Sequence, residues 1–133
     1  MSNRSDGAGF EEEFSAALSR AGFWAHLLTQ NKSGQPADVI AARNGVAHLI
    51  DCKRCSTKKG FDLSRMEENQ VLAMQKWYRC GNGFGWFALQ LPDESVYMLS
   101  DHTLSKYHFG SSIPCDKIRE IGERLESWVQ SVK

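Results

Sequence analysis

The stretch ADVIAARNGVAHLIDCK, residues 37–53, decides the fold of this chain of 133 residues. It holds two largely apolar runs, 37–42 and 46–53, separated by Arg-Asn-Gly with Asn44 at its centre. Asn-Gly between such runs is a strong signal for a two-residue turn, because both turn positions take a positive φ there. The sequence therefore predicts a β-hairpin in this region.

Three charged residues of the hairpin fall on one face. Pairing outward from the turn places Asp38 directly opposite Asp51, and opposed residues have Cβ atoms about 5 Å apart. Side chains alternate along a strand, so Lys53 shares that face while Ile50 and Cys52 point to the other. Two carboxylates this close repel unless a cation lies between them, and oxygen ligands suit Mg²⁺ or Mn²⁺.

The alternative interpretation is a surface ion pair between Asp51 and Lys53, with Asp38 as an ordinary turn acid. Such pairs contribute only about 0–1 kcal/mol, and short motifs often match by chance. Here, however, the charges lie within runs that are apolar enough for central strands. A charge at such a position needs a partner or a function, so we favour a catalytic site.

The rest of the chain alternates between helical and strand patterns. Residues 1–8 read as a flexible tail and 9–133 as a single domain. Ser64, with Glu67 three residues on, is typical of a capping box at the start of the second helix. Ser100 or Asp101 is a plausible cap for a short helix. The predicted helices are 10–21, 63–80, a short one ending at 107, and 116–132; the predicted strands are 23–28, 37–42, 46–53, 84–91 and 95–99. This order predicts an α/β fold with a mixed four- to five-stranded sheet flanked by helices.

Composition and charge narrow the classes of protein. Apolar residues make up 41% and charged residues 24% of the chain, as in ordinary globular domains. No apolar run approaches the roughly 20 residues that span a bilayer, and residues 1–7 lack the apolar segment of a secretory signal. We therefore expect a cytoplasmic protein with no membrane contact. Its four cysteines are then thiols, although Cys52-x-x-Cys55 has metal-ligand spacing and leaves a metal-binding adaptor open.

The net charge is zero, from 16 basic and 16 acidic residues, which counts against a strong nucleic-acid binder. The distribution is uneven, because basic residues cluster just after the hairpin, and a local patch attracts phosphates even in a neutral chain. Lys32 and Ser33, before a glycine turn, are further candidates for phosphate contact or else ordinary loop residues. The candidate DNA-binding residues are Lys32, Ser33, Arg54, Lys58, Lys59 and Arg65.

Glu11 is a candidate third acid. It lies beside the apolar stripe of the first helix, between Phe10 and Phe14. A helix packed on the sheet can bring it to the hairpin acids. Glu12 and Glu13 are alternatives, although acids in a first helical turn are also favoured simply by the helix dipole.

Four sequence blocks together resemble a known superfamily. They are GxxFExxF from Gly7, GQPADVIA at residues 34–41, LIDCK at 49–53 and FDLSRMEENQ at 61–70. This set resembles the PD-(D/E)xK nucleases, and within them the archaeal-type and the bacterial RecU-type Holliday junction resolvases. The resemblance implies a restriction-endonuclease-like core.

The resemblance also implies roles for individual residues. Lys53 would orient or deprotonate the attacking water and stabilise charge on the phosphate. Gln70 would reach the same centre from the second helix, although a core glutamine bonded to the backbone is the alternative. The implied Mg²⁺ (or Mn²⁺) ligands are Glu11, Asp38, Asp51 and the backbone carbonyl of Cys52.

The function expected from this resemblance is hydrolysis of DNA phosphodiester bonds by a Mg²⁺-activated water. Branched DNA, such as a Holliday junction, is the expected substrate. A homodimer is expected, because two strands must be cut symmetrically. The alternatives are another nuclease of the restriction, repair or phage type, a nuclease-fold module that binds nucleic acid without cutting, and the Cys-x-x-Cys adaptor.

Overall fold

The computed structural model describes residues 3–28, 35–107 and 111–132. Five α-helices and one 3₁₀ turn alternate with eight strands. The helices are α1 Asn3–Arg20, α2 Glu68–Arg79, α3 Asp101–Leu104, α4 Cys115–Ile121 and α5 Leu125–Ser131, with the 3₁₀ turn at Leu63–Arg65. The strands are β1 Trp24–Leu27, β2 Val39–Arg43, β3 Val46–Arg54, β4 Phe61–Asp62, β5 Trp86–Gln90, β6 Val96–Ser100, β7 Ser112–Ile113 and β8 Glu123–Arg124.

Six of these strands form one mixed sheet in the order β1-β2-β3-β5-β6-β8. Strands β3 and β5 are parallel and joined through α2, whereas the other neighbours are antiparallel. Strands β4 and β7 form a separate two-stranded sheet. The α/β class and the mixed sheet are confirmed, but the predicted four or five strands fall short by one, because β8 lies within a segment that the sequence assigns to a helix.

The predicted hairpin is confirmed, with its register. Strands β2 and β3 pair from Val39 with Ile50 to Arg43 with Val46. The turn residues Asn44 and Gly45 have φ of 54° and 78°. Positive φ at both positions defines the turn type whose twist matches that of paired strands.

Two buried apolar clusters cover the two faces of the sheet. One joins Leu49 and Phe87 of the sheet to residues of α2, α3 and α4. The other joins Ile50 of β3 to α1 and to Trp128 of α5. The alternation along β3 therefore places helices on both faces, and the sheet is the middle of three layers.

Three helix boundaries differ from the sequence prediction. α1 begins at Asn3, not near residue 10, because an existing helix extends at the cost of one residue per added hydrogen bond. α2 begins after Glu67, which caps it with its backbone only. Ser64 lies in the 3₁₀ turn, where its N–H donates to Asp62, so the predicted capping box is wrong. Ser100 does cap α3, accepting a hydrogen bond from Thr103 N–H.

The predicted last helix, 116–132, is two helices separated by an extended segment. At Gly122 the chain passes so close to β6 that a Cβ atom would lie 2.8 Å from Leu99 Cδ1. The next residues, Glu123 and Arg124, pair with Met98 and Tyr97. This pairing covers the edge of β6, which a continuous helix would leave exposed. In the part of the chain that is described, no helix has both the length and the apolar character needed to cross a membrane.

Candidate active site

The first acid, Asp38, directly precedes β2 at a bulge in the hairpin. Its N–H donates to the carbonyl of Ile50 (3.0 Å), although Ile50 pairs with Val39. Two consecutive residues thus face one, and such bulges redirect side chains next to active sites. The prediction that Asp38 lies directly opposite Asp51 is therefore wrong by one position.

Two donors hold the buried Asp38 carboxylate. Cys52 N–H donates to its Oδ2 (2.7 Å) and Gln35 Nε2 donates to its Oδ1 (2.8 Å). The carboxylate thus accepts an N–H of β3 that a ladder carbonyl would otherwise accept. Each carboxylate oxygen has two lone pairs, so each retains one for another ligand.

The second acid, Asp51, is completely buried in the central strand β3. Its Oδ2 lies 3.2 Å from Lys53 Nζ, and its Oδ1 accepts a hydrogen bond of 2.6 Å from Gln70 Nε2. Burial, followed by the nearby Asp38, raises the pKa of Asp51 from 3.8 to about 8, and Lys53 opposes this rise. The alternative in which Gln70 bonds only to backbone is wrong, because its partner is a carboxylate.

Glu11 of α1 is brought to the same place. Burial, and then the proximity of Asp38, raises the pKa of Glu11 from 4.5 to about 7. Glu12 and Glu13 are exposed. The helix orientation on the sheet thus distinguishes Glu11 from its two neighbours, which sequence alone does not.

One cavity of about 230 Å³ collects these side chains; it is lined by Glu11, Gln35, Asp38, Cys52, Lys53, Glu67 and Gln70. Five of the seven are predicted site residues. Gln35 and Glu67 were missed, although both fall within the sequence blocks that carry the family resemblance. We refer to this space as the acidic cavity.

The donor set of the acidic cavity suits a hard divalent cation better than zinc. In residues 3–28, 35–107 and 111–132, no three His, Cys, Asp or Glu side chains are placed to hold a metal ion by themselves. The buried Oε1 atoms of Gln35 and Gln70 nevertheless have no hydrogen-bond partner within these described residues. Mg²⁺ commonly takes only one or two carboxylates and completes its shell with neutral oxygens, waters and substrate phosphate, so the residues fit it.

The cysteine adaptor is contradicted by the fold. Cys52 belongs to the buried cluster on the α1 face, whereas Cys55 belongs to the cluster on the α2 face. Burial raises the pKa of both thiols, that of Cys55 to about 11, which disfavours the thiolates that bind metals. The two sulfurs therefore cannot form one metal site.

The predicted DNA-binding residues are placed only in part. Arg54, Lys58, Lys59 and Arg65 are exposed on the segment that follows the catalytic end of β3. Arg65 Nη1 donates to the carbonyl of Arg54 (2.7 Å), which holds these two residues together. Lys32 and Ser33 lie outside the described residues.

The fold and the site define a nuclease of the PD-(D/E)xK class. A Holliday junction resolvase from the archaeal hyperthermophile Archaeoglobus fulgidus, Hjc, superposes with a TM-score of 0.72. The superposition covers 92% of this chain and 99% of that one at 19% sequence identity, so it speaks for the fold alone.

The sequence profile of one family matches nearly the whole chain. The archaeal Holliday junction resolvase (hjc) family matches residues 2–133, and the chain belongs to this family. Comparison with curated protein sequences finds no significant match. The chain is therefore an endonuclease of branched DNA, in agreement with the resemblance drawn from its sequence blocks.

Proposed function

We propose that this chain cuts Holliday junctions with a divalent cation, Mg²⁺ or Mn²⁺, bound in the acidic cavity. The observation that carries the proposal is the convergence of Asp38, Asp51, Glu11 and Lys53 on one small cavity. Buried carboxylates with raised pKa values next to a lysine are costly for stability, and such arrangements cluster at functional sites.

The residues have separate roles in this proposal. Asp38, Asp51 and the Cys52 carbonyl would hold the cation, with Glu11 as a further ligand from α1. When bound, the cation supplies an activated water and neutralises charge on the scissile phosphate. Lys53 Nζ, on the same strand face as Asp51, orients that water and stabilises the phosphate charge that builds up in the transition state. Gln70 holds Asp51 through its 2.6 Å hydrogen bond.

The substrate would approach along the exposed basic segment after β3. Arg54, Lys58, Lys59 and Arg65 would contact backbone phosphates, which position DNA without reading its sequence. Lys32 and Ser33 remain candidates for the same role. Because a four-way junction requires two symmetric cuts, we propose a homodimer working in the cytoplasm.

The decisive experiment measures cleavage of a synthetic four-way junction and of a matched linear duplex, with Mg²⁺ and with chelator. We expect cutting of the junction only, and only with Mg²⁺. Loss of cleavage of at least 10³-fold is expected for Asp51→Asn and for Lys53→Met. An Asp51→Asn variant that cuts like the wild type refutes the assignment.

Glu11 has a matched control in its own helix. Glu11→Gln removes the carboxylate that reaches the cavity, whereas Glu12→Gln makes the same change at an exposed neighbour. We expect cleavage to fall at least tenfold in the first variant and to stay at the wild-type rate in the second. Equal effects would remove Glu11 from the site. Light scattering of the purified protein tests the homodimer.

A further inference from the structure

Gln35 occupies an unusual position for a buried glutamine. It is 6% exposed, and it borders the acidic cavity. Its Nε2 donates to Asp38 Oδ1 (2.8 Å), while its Oε1 has no hydrogen-bond partner among the described residues. Because a carboxylate accepts hydrogen bonds, this contact sets the amide orientation and leaves the oxygen toward the site.

An unpaired buried amide oxygen costs about 1–3 kcal/mol, so it is a poor way to stabilise a fold. A glutamine that served stability alone would have partners for both ends of its amide. The contact with Asp38 is instead charge-assisted, and such bonds are both stronger and more directional than neutral ones. The geometry thus suits Gln35 to orienting a carboxylate.

The backbone of Gln35 is itself held from α2. Asn69 Nδ2 donates to the Gln35 carbonyl (3.0 Å), and the next residue, Gln70, donates to Asp51. Two consecutive residues in the first turn of α2 therefore support the two hairpin acids, one directly and one through Gln35. A single rigid element is thereby connected to both carboxylates.

We propose that Gln35, anchored by Asn69, is the positioning residue for Asp38 in the cation-binding site. This inference rests on the proposed function, since it assumes that a divalent cation binds at Asp38 and Asp51. Gln35 restricts rotation of the Asp38 carboxylate, so that its free lone pairs face the cavity. Residues that orient metal ligands typically account for a 10- to 100-fold change in metal affinity or activity when they are replaced.

The test compares Mn²⁺ binding to the wild type and to Gln35→Met, measured on the DNA-free protein by electron paramagnetic resonance. Methionine retains the volume and removes the amide. Gln75→Met is the matched control, because Gln75 is exposed on α2 away from the acidic cavity. We expect 10- to 100-fold weaker Mn²⁺ binding by Gln35→Met and unchanged binding by the control.

Junction cleavage titrated with Mg²⁺ supplies a second measurement. Gln35→Met is expected to need 10- to 100-fold more Mg²⁺ for half-maximal cleavage, while the rate at saturating Mg²⁺ returns to within about threefold of wild type. The exposed Asn69→Ala variant, which leaves the core intact, is expected to shift the same titration by about threefold to tenfold. Its result decides the inference if Gln35→Met fails to fold.

The outcomes separate the two proposals. Absence of Mn²⁺ binding by the wild type refutes the proposed function. Wild-type binding together with equally tight binding by folded Gln35→Met, or an unshifted Asn69→Ala if that variant does not fold, overturns the role of Gln35 alone. A Gln35→Met variant with normal Mn²⁺ affinity but a lower rate at saturating Mg²⁺ also overturns it.

Discussion

Replacement of Asp51 by asparagine should stabilise the cation-free protein at high pH. The pKa of Asp51 is raised from 3.8 in an exposed chain to about 8 in the fold. Between these values the folded protein holds a proton that the unfolded chain has released. Stability from this group is therefore fully present below about pH 4 and is lost as the pH rises toward 8.

The size of the effect follows from the same shift. Each pH unit within that window removes up to about 1.4 kcal/mol of stability. Between pH 5 and pH 8 the wild type should therefore lose up to about 4 kcal/mol through Asp51. Asparagine is neutral throughout, and its amide retains a partner in Gln70, so Asp51→Asn should lack this slope.

Urea unfolding in the presence of chelator, at pH 5, 6, 7 and 8, measures the difference. The variant should match the wild type at pH 5 and exceed it at pH 8, with a melting temperature higher by on the order of 10 °C. Asp116→Asn is the control, because its side chain is fully exposed. Stability curves for the wild type and Asp51→Asn that stay parallel from pH 5 to pH 8 refute the reasoning.

Three further changes have expected outcomes. Binding of Mn²⁺ should tighten between pH 6 and pH 8, because the two carboxyl groups with raised pKa values must release protons to bind it; calorimetry in buffers of different ionisation heat measures that release, and pH-independent affinity contradicts it. The double change Lys58→Ala, Lys59→Ala should lower the slope of junction affinity against salt by about 0.9 per phosphate contact, unlike Lys117→Ala on α4, and an unchanged slope removes the pair from the interface. Gly60→Ala should cost about 2–3 kcal/mol, because φ is +80° and the new Cβ would collide with a backbone carbonyl of β7; urea unfolding beside Gly83→Ala, where nothing lies within 4 Å, tests this, and equal stabilities would contradict it.

Much of the hairpin could be predicted because its information is local. The turn at Asn44 and Gly45 requires positive φ at both positions, and the turn then determines the register of β2 and β3. Alternation along β3 correctly placed Asp51 and Lys53 on one face. The helical stripe of α2 likewise predicted an inward Gln70, because 3.6-residue periodicity needs no knowledge of distant segments.

The support of Asp38 could not be predicted in the same way. The bulge and the hydrogen bond to Cys52 N–H depend on how β2 leaves its pairing with β3. The contact from Asn69 to Gln35 joins residues 34 positions apart, and no periodic pattern records it. The choice of Glu11 over Glu12 depends on the rotation of α1 against the sheet.

The sequence by itself determined the α/β class, the hairpin register, the shared face of Asp51 and Lys53, and the family. Tertiary structure alone decided the sixth strand at residues 123 and 124, where pairing with the edge of β6 overrides a helical pattern. It alone decided which glutamates and glutamines surround the acidic cavity. The physical reason is that turn geometry and side-chain alternation arise from neighbouring residues, whereas strand-edge pairing and carboxylate support arise from segments that meet only after folding.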